Sequence, residues 1–433
     1  MKPCPECNAP LYDHPDFTQW CPACDWNLQP DAEQNSAQNI FELYYLKLSE
    51  RLGLELFQAL KTQNLANTMH LKKLSTGVKL FSIGVIIAYL SLIFTGIYLL
   101  WHFRGQVVGS LFGLMFLGFA FLATPKRQAP PYAGQTVLDA NTLPAFFSLL
   151  KLCANVLNTP QPDGVIFTPE FNASVTVYQK KRYLSIGLPL WNVLNSEEKL
   201  ALLGHEIGHL AHNDPMQQRL PEFAMNVLFQ TGDALCPHSL APHYEGKLFY
   251  EDRIALNFTE ILLIPFNWLL ALIAHGFWGL GHLLLRWLWA DSQRAEYRTD
   301  LNSLRLASLR ACLTGFEKFS LEPEIYAVAR QRIRKKQTEN PGSLFEETLT
   351  HWQKMPFSEH ERRRRILEKE KHRVDSTHPT TALRMEMLKF QAEYIQRHDL
   401  PEINWKAIEN ELEPHLAQQA LALLEAERSA LYR

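Results

Sequence analysis

The pentapeptide His205-Glu206-Ile207-Gly208-His209 sets two imidazoles four residues apart, with a carboxylate directly after the first. On a helix such a pair shares one face, so both rings can reach a single ion while Glu206 stands beside it. That set suits hydrolysis. Zinc lowers the pKa of its water, and a neighbouring carboxylate accepts the proton, as general base, while the water attacks a carbonyl. The third ligand should be an acid or histidine downstream on another element. Glu296 is the candidate, with Asp300 one helical turn later, placed to accept a hydrogen bond from a ligating imidazole and so fix its tautomer. Gly204 and Gly208 would let another segment pack closely against the histidine helix.

A second set lies at the N-terminus. Cys4 and Cys7, then Cys21 and Cys24, form two C-x-x-C knuckles thirteen residues apart, a spacing that brings four thiolates to one tetrahedral zinc. About thirty residues cannot bury an adequate core, so the metal would supply most of the folding energy. Four thiolates leave no open coordination position, which makes this zinc structural and the ribbon a clip or a dock for a protein partner. The start "MKPCPECNAP" has no apolar signal run, which predicts an N-terminus kept in the reducing cytosol. Cys153, Cys236 and Cys312 read as buried small hydrophobes.

The elements that must position these residues follow from an uneven composition. Across 433 residues the formal charge is -2, with a pI of about 6.8, so nothing pulls the chain toward nucleic acid. The mean hydropathy of -0.16 averages long uncharged blocks with highly charged ones. Residues 1–30 read as the zinc ribbon and 31–77 as a polar linker with juxtamembrane helices. Two uncharged blocks joined by "HFRGQ" make 78–125 a transmembrane helical hairpin. Lys72, Lys73 and Lys79 precede the first uncharged span, which starts at Leu80, and Lys126 and Arg127 follow the second, which predicts both outer flanks in the cytoplasm. Residues 128–390 read as the catalytic domain and 391–433 as a C-terminal helical segment. Within the former, "NSEEKLALLGHEIGHLAHND" predicts a helix opened by Asn195 or Ser196.

Residues 257–290 are apolar and lie between His209 and Glu296. A single crossing there would strand Glu296 on the far side of the membrane, away from both histidines. The segment is therefore expected to enter and return, to lie along the interface or to pack inside the protein; a bent hairpin broken at Pro265, Gly276, Gly279 or Gly281 is favoured, with core packing next. His275 and His282 within it read as interfacial or satisfied polar residues. The run "ERRRRILEKEKHR" at 361–373 reads as a solvated helix face with some capacity for anionic lipid.

The ordered stretches "NASVTV" (172–177), "LSIGLPLWNVLNSEEKLALLGHEIGH" (184–209), "EYRTD" (296–300) and "STHPTTALR" (376–384) resemble the membrane zinc metallopeptidases that include HtpX and the CAAX prenyl proteases. The resemblance covers roughly 130–390. It implies a mainly helical α+β, zincin-like domain, with His205, His209 and Glu296 as zinc ligands, Glu206 as base and Asp300 supporting a histidine. It further implies that His378 and Arg384 stabilise the oxyanion, and that Asn172, Ala173, Ser174 and Val175 belong to the edge strand that binds peptide. Ser174 and Thr299 depart from the common family residues, and the ribbon lies outside the family's core.

The expected protein is a membrane zinc endopeptidase that holds one catalytic and one structural zinc, acts on a peptide or protein substrate, and sits in the lipid bilayer with its site at the cytoplasmic side of the inner membrane. The rival reading is a membrane-anchored scaffold with a latent peptidase domain and a partner-binding ribbon.

Overall fold

The structure is a computed structural model that describes residues 2–11, 14, 17–29, 40–61, 75–125, 134–211, 214–236, 258–337, 340–369 and 378–431. Linker residues 31–39, the flanking Lys72, Lys73, Lys126 and Arg127, and residues 370–373 of the charge run lie outside these. The chain divides into two compact units, one of residues 1–71, 130–215 and 292–433, the other of 72–129 and 216–291.

In the first unit a small sheet carries many helices, as the mainly helical α+β expectation requires. The apolar run of β1 (Gly164–Thr168) is buried throughout. It pairs in parallel with β3 (Lys181–Gly187), which pairs antiparallel with β2 (Ala173–Tyr178), giving the order β1-β3-β2. Gln179 and Lys180 join β2 to β3 with φ of 48° and 66°, the two-residue turn whose twist suits a hairpin. β2 is thus an edge strand. Behind the sheet, Phe146 of α4 (Pro144–Val156) meets Phe167 and Trp191 edge to face, at ring separations of 6.1 and 5.4 Å.

Preceding these in the chain are α1 (Ile40–Lys61), α2 (Thr76–His102) and α3 (Val107–Ala123). After the sheet come α5 (Leu188–Val193) and α6 (Ser196–Ala211). Asn195 opens α6 through a reciprocal cap. Its side chain accepts from Glu198 N–H at 3.0 Å, and Glu198 accepts from Asn195 N–H at 2.8 Å.

The remaining helices are α7 (Asp214–Leu235), α8 (Phe258–Leu306), α9 (Leu309–Phe319), α10 (Glu322–Lys335), α11 (Ser343–Lys354), α12 (Phe357–Lys369), α13 (Thr381–Gln391) and α14 (Trp405–Leu431).

α8 corrects one expectation. The bent hairpin predicted inside 257–290 does not form, because α8 is a single helix of 49 residues. The return is made by two helices instead. α7 and α8 pair antiparallel, with Ala224 near Leu284, Phe229 against His282 at 5.2 Å, and Trp278 N–H donating to Asp233 at 3.0 Å. Each glycine costs about 1 kcal/mol in a helix; at Gly281 close packing against Phe229 offsets it, whereas Gly276 and Gly279 face open space. The N–H groups of His275 and His282 each donate to the carbonyl one turn earlier, at 2.7 Å, so both are satisfied within the helix.

α2 and α3 cross where Gly96 and Gly113 let the backbones touch, and Tyr89 bonds Thr124 at 2.7 Å. Outside this contact the second unit turns large apolar side chains outward: Phe121 is 77% exposed and Leu272 70%. α2 and the stretch Pro265–Leu306 are each long and apolar enough to cross a membrane.

Two outcomes follow from the first unit. A side chain at Gly204 of α6 would begin 2.8 Å from the Cα of Ser303 in α8. Gly204→Leu should therefore lower stability by roughly 1–3 kcal/mol in chemical unfolding. Glu359 of α12 is buried, which alone would raise its pKa, but Arg362 and Arg363 at 2.6 and 2.9 Å outweigh burial and lower it. A depressed folded pKa adds stability that is complete above the unfolded value of about 4.3 and is lost as pH falls through the folded one. Urea midpoints between pH 7 and 3 should fall less steeply in Glu359→Gln than in wild type.

Candidate active site and metal centres

The site begins with two helices forced close together. Gly208 faces Asn302 and Thr299 as Gly204 faces Ser303, and the Ser303 hydroxyl donates to the Ala201 carbonyl at 2.9 Å. Glycine leaves no Cβ to hold α6 and α8 apart. Thr299, the departure from the family pattern, is fully buried and donates to the Glu296 carbonyl at 2.9 Å, so its hydroxyl costs nothing unpaired.

This contact brings His205, His209 and Glu296 together, with donor atoms within 4.8 Å of one another. His205 Nε2 lies 3.5 Å from one Glu296 oxygen and His209 Nε2 3.5 Å from the other. Asp300 stands 3.0 Å from His205 Nδ1, on the side away from Glu296, where it orients the ring. Glu206 is buried on the same helix and lines the same cavity as His205.

Arg384 of α13 holds Asp300 with two parallel bonds, Nε to Oδ2 at 2.9 Å and Nη2 to Oδ1 at 2.7 Å. Its guanidinium thereby positions Asp300, and Arg384 also lines the cavity beside His205. His378, half in solvent, puts Nδ1 2.7 Å from Glu296 Oε2, off the line of a hydrogen bond.

Do these residues suit a zinc ion? Glu206, Glu296 and Asp300 are buried around one buried cation, Arg384. Three carboxylates against one guanidinium leave an excess of negative charge that a divalent ion between the imidazoles would offset. Glu296 Oε2 is also buried without a hydrogen-bond partner of good geometry. Burial would raise the Glu296 pKa, but His378, the two site histidines and Arg384 outweigh it and hold the carboxyl far below its ordinary range. For Asp300, Arg384 likewise overcomes burial and lowers the pKa. Two imidazoles and a carboxylate held ionised are a zinc donor set.

A cavity of about 380 Å³ opens beside His205 and Glu206. Asn172 and Ala173 line it, whereas Ser174 and Val175 lie further along β2. Its apolar wall comes from Phe171, Leu194, Phe316 and Phe319. Sequence reading missed Phe316 and Phe319. Their i, i+3 spacing beside Gly315 on a short amphipathic helix was the available signal, but core packing has the same spacing.

In the ribbon, Cys4 and Cys24 Sγ are 3.6 Å apart and Cys7 and Cys21 Sγ 3.5 Å, with all four within 4.8 Å. Tetrahedral ligands at about 2.3 Å from zinc would stand roughly 3.8 Å apart, close to these values and far from a disulfide. Asn8 and Asp25 take φ of 58° and 60°, turning each knuckle back on itself. Burial pushes the Cys21 thiol up, but backbone N–H groups of Cys24 and Ala23 bring it down to about 7. Cys153, Cys236 and Cys312 are buried.

Comparison with known proteins adds context. The pattern of Peptidase family M48 matches residues 148–392, more than half of the chain. A protease HtpX of Xanthomonas axonopodis pv. citri is 24% identical over 225 residues, 50% of this chain and 70% of that protein. A protease HtpX of Thioalkalivibrio sulfidiphilus is 23% identical over 159 residues, 36% of this chain and 48% of that protein. An HtpX homolog of Burkholderia ambifaria is 24% identical over 113 residues, 26% and 39% respectively. The chain thus spans less than half the length of two of these three relatives. No solved structure matches it.

Replacing Arg384 by Met should leave the buried carboxylates uncompensated and cost about 3–5 kcal/mol in urea unfolding. A loss under 1 kcal/mol would show that Arg384 does not carry that charge balance.

Proposed function

The chain belongs to peptidase family M48, and from that premise we propose that it is a membrane-bound zinc endopeptidase acting at the cytoplasmic membrane surface. The observation that carries the reading is the meeting of His205, His209 and Glu296 with Glu206 alongside. Zinc, held by the first three, would supply Lewis acidity, polarising a carbonyl and acidifying water. The relatives, each named as a protease, support the same reading.

The chain's own residues then divide the work. Glu206 accepts the proton of the attacking water and passes it to the leaving amine. His378, exposed at the mouth of the cavity, donates to the carbonyl oxygen as charge develops there. Asp300 fixes the His205 ring and Arg384 fixes Asp300. β2 offers its open edge to an extended peptide, whose side chain enters the cavity between Phe316 and Phe319. Substrates are proteins or peptides. The four thiolates hold a second, structural zinc, through which a partner could dock.

Outward apolar side chains on the second unit support membrane insertion, since hydrocarbon and not water satisfies such a surface. The lysines and arginines flanking the first hairpin support an N-terminus and a site on the cytoplasmic side of the inner membrane. A latent scaffold would be favoured by a missing catalytic group; Glu206 and all three ligands are present.

The test is Glu206→Gln against wild type in mild detergent, assayed on an unfolded protein substrate with zinc measured on the same samples. Both should hold two zinc ions per chain, and the variant should lose activity by at least about 100-fold. Equal cleavage by both proteins, or the absence of cleavage by wild-type protein carrying both ions, would count against the peptidase reading.

A further inference from the structure

The arginine run of α12 does not present a wholly solvated face. Two of its arginines and a lysine reach into the ribbon. Arg365 donates to the Pro22 carbonyl at 2.5 Å and to Asp25 at 2.8 Å, and Lys369 pairs with the other Asp25 oxygen. Arg362 donates to the Leu28 carbonyl at 2.9 Å. Between them Trp20, only 1% exposed, donates its indole N–H to the Ser358 carbonyl at 3.1 Å and takes the Arg365 guanidinium over its ring at 5.2 Å.

These contacts depend on the shape of the second knuckle. Pro22 lies between Cys21 and Cys24, and Asp25, in left-handed conformation, directly follows. A ribbon of about thirty residues buries too little core to hold this turn unaided, so the carbonyl and carboxylate that Arg365 grips depend on the metal for their joint presentation.

The opposite side of α12 is tied to the cleft. Arg363 donates to the Ser320 carbonyl at 3.1 Å, directly after α9, and pairs with Glu324 of α10. Glu368 lies 3.5 Å from Lys389 of α13, the helix that carries Arg384. α9 supplies Phe316 and Phe319 to the cavity wall.

We propose that the metal-loaded ribbon is an in-chain clamp on α12, and that through α12 it holds α13 and the end of α9 in the arrangement the cleft requires. The Cys4, Cys7, Cys21 and Cys24 centre is then a positioning device for Arg384 and the cavity wall, sensitive to loss of its metal. The inference rests on the four-thiolate zinc reading. It does not need the peptidase reading, because it is tested without substrate.

Hydrogen exchange is followed on the full chain in mild detergent, with zinc measured on the same samples. Cys7→Ser with Cys24→Ser should lose one zinc per chain and speed amide exchange in α12 and α13 by about ten-fold or more, leaving β1 protected. Arg365→Glu with Lys369→Glu should retain both zinc ions and give the same acceleration. Adding Asp25→Lys should restore protection, since the ion pairs are rebuilt with reversed charge. Unchanged exchange in α13 in both variants overturns the proposal. So does an acceleration by the charge reversals that Asp25→Lys leaves in place, which marks a defect of α12 alone.

Discussion

The site depends on how near α6 can come to α8. Three donor atoms from two helices must converge within a few ångströms, and a single methyl group at Gly204 or Gly208 would hold them apart. The reciprocal cap at Asn195 sets where α6 begins, and so which face carries His205 and His209. Ser303 and Thr299 let α8 bury polar side chains in the contact without leaving them unpaired. The chemistry is therefore installed by backbone proximity before any side chain is chosen for reactivity.

Once the helices meet, charge becomes the next constraint. Glu206, Glu296 and Asp300 are withdrawn from water beside one guanidinium, an imbalance that is tolerable only where a cation shares the site. Arg384 satisfies Asp300 completely enough that Asp300 can hold the His205 ring. Arg384, implied as an oxyanion donor, thus also positions Asp300, and His378, more exposed and near Glu296, lines the same cavity.

The second unit obeys a different solvent. Its helices pack through glycine contacts and a tyrosine–threonine bond while large apolar side chains face outward. The pairing of α7 with α8 solves the problem that a lone crossing between His209 and Glu296 would create, since the chain leaves along one helix and returns along the other. A break at Pro265 was not required. An apolar helix tolerates proline and glycine where the freed backbone groups are satisfied again locally.

What could be read from the residues in order was everything governed by local spacing. The histidine pair, its adjacent glutamate, the later Glu296 and Asp300, the two cysteine knuckles and the uncharged hairpin each rest on helix period, knuckle spacing or membrane thickness. The tertiary structure alone decided which long-range partners the charged side chains chose. Arg384 took Asp300, and Arg362 and Arg365 of a run that reads as solvated surface took the ribbon. The reason is physical. A helix places its residues by a few backbone angles, but a buried or half-buried charge finds its partner only when elements distant in sequence have closed around it and removed water as the alternative.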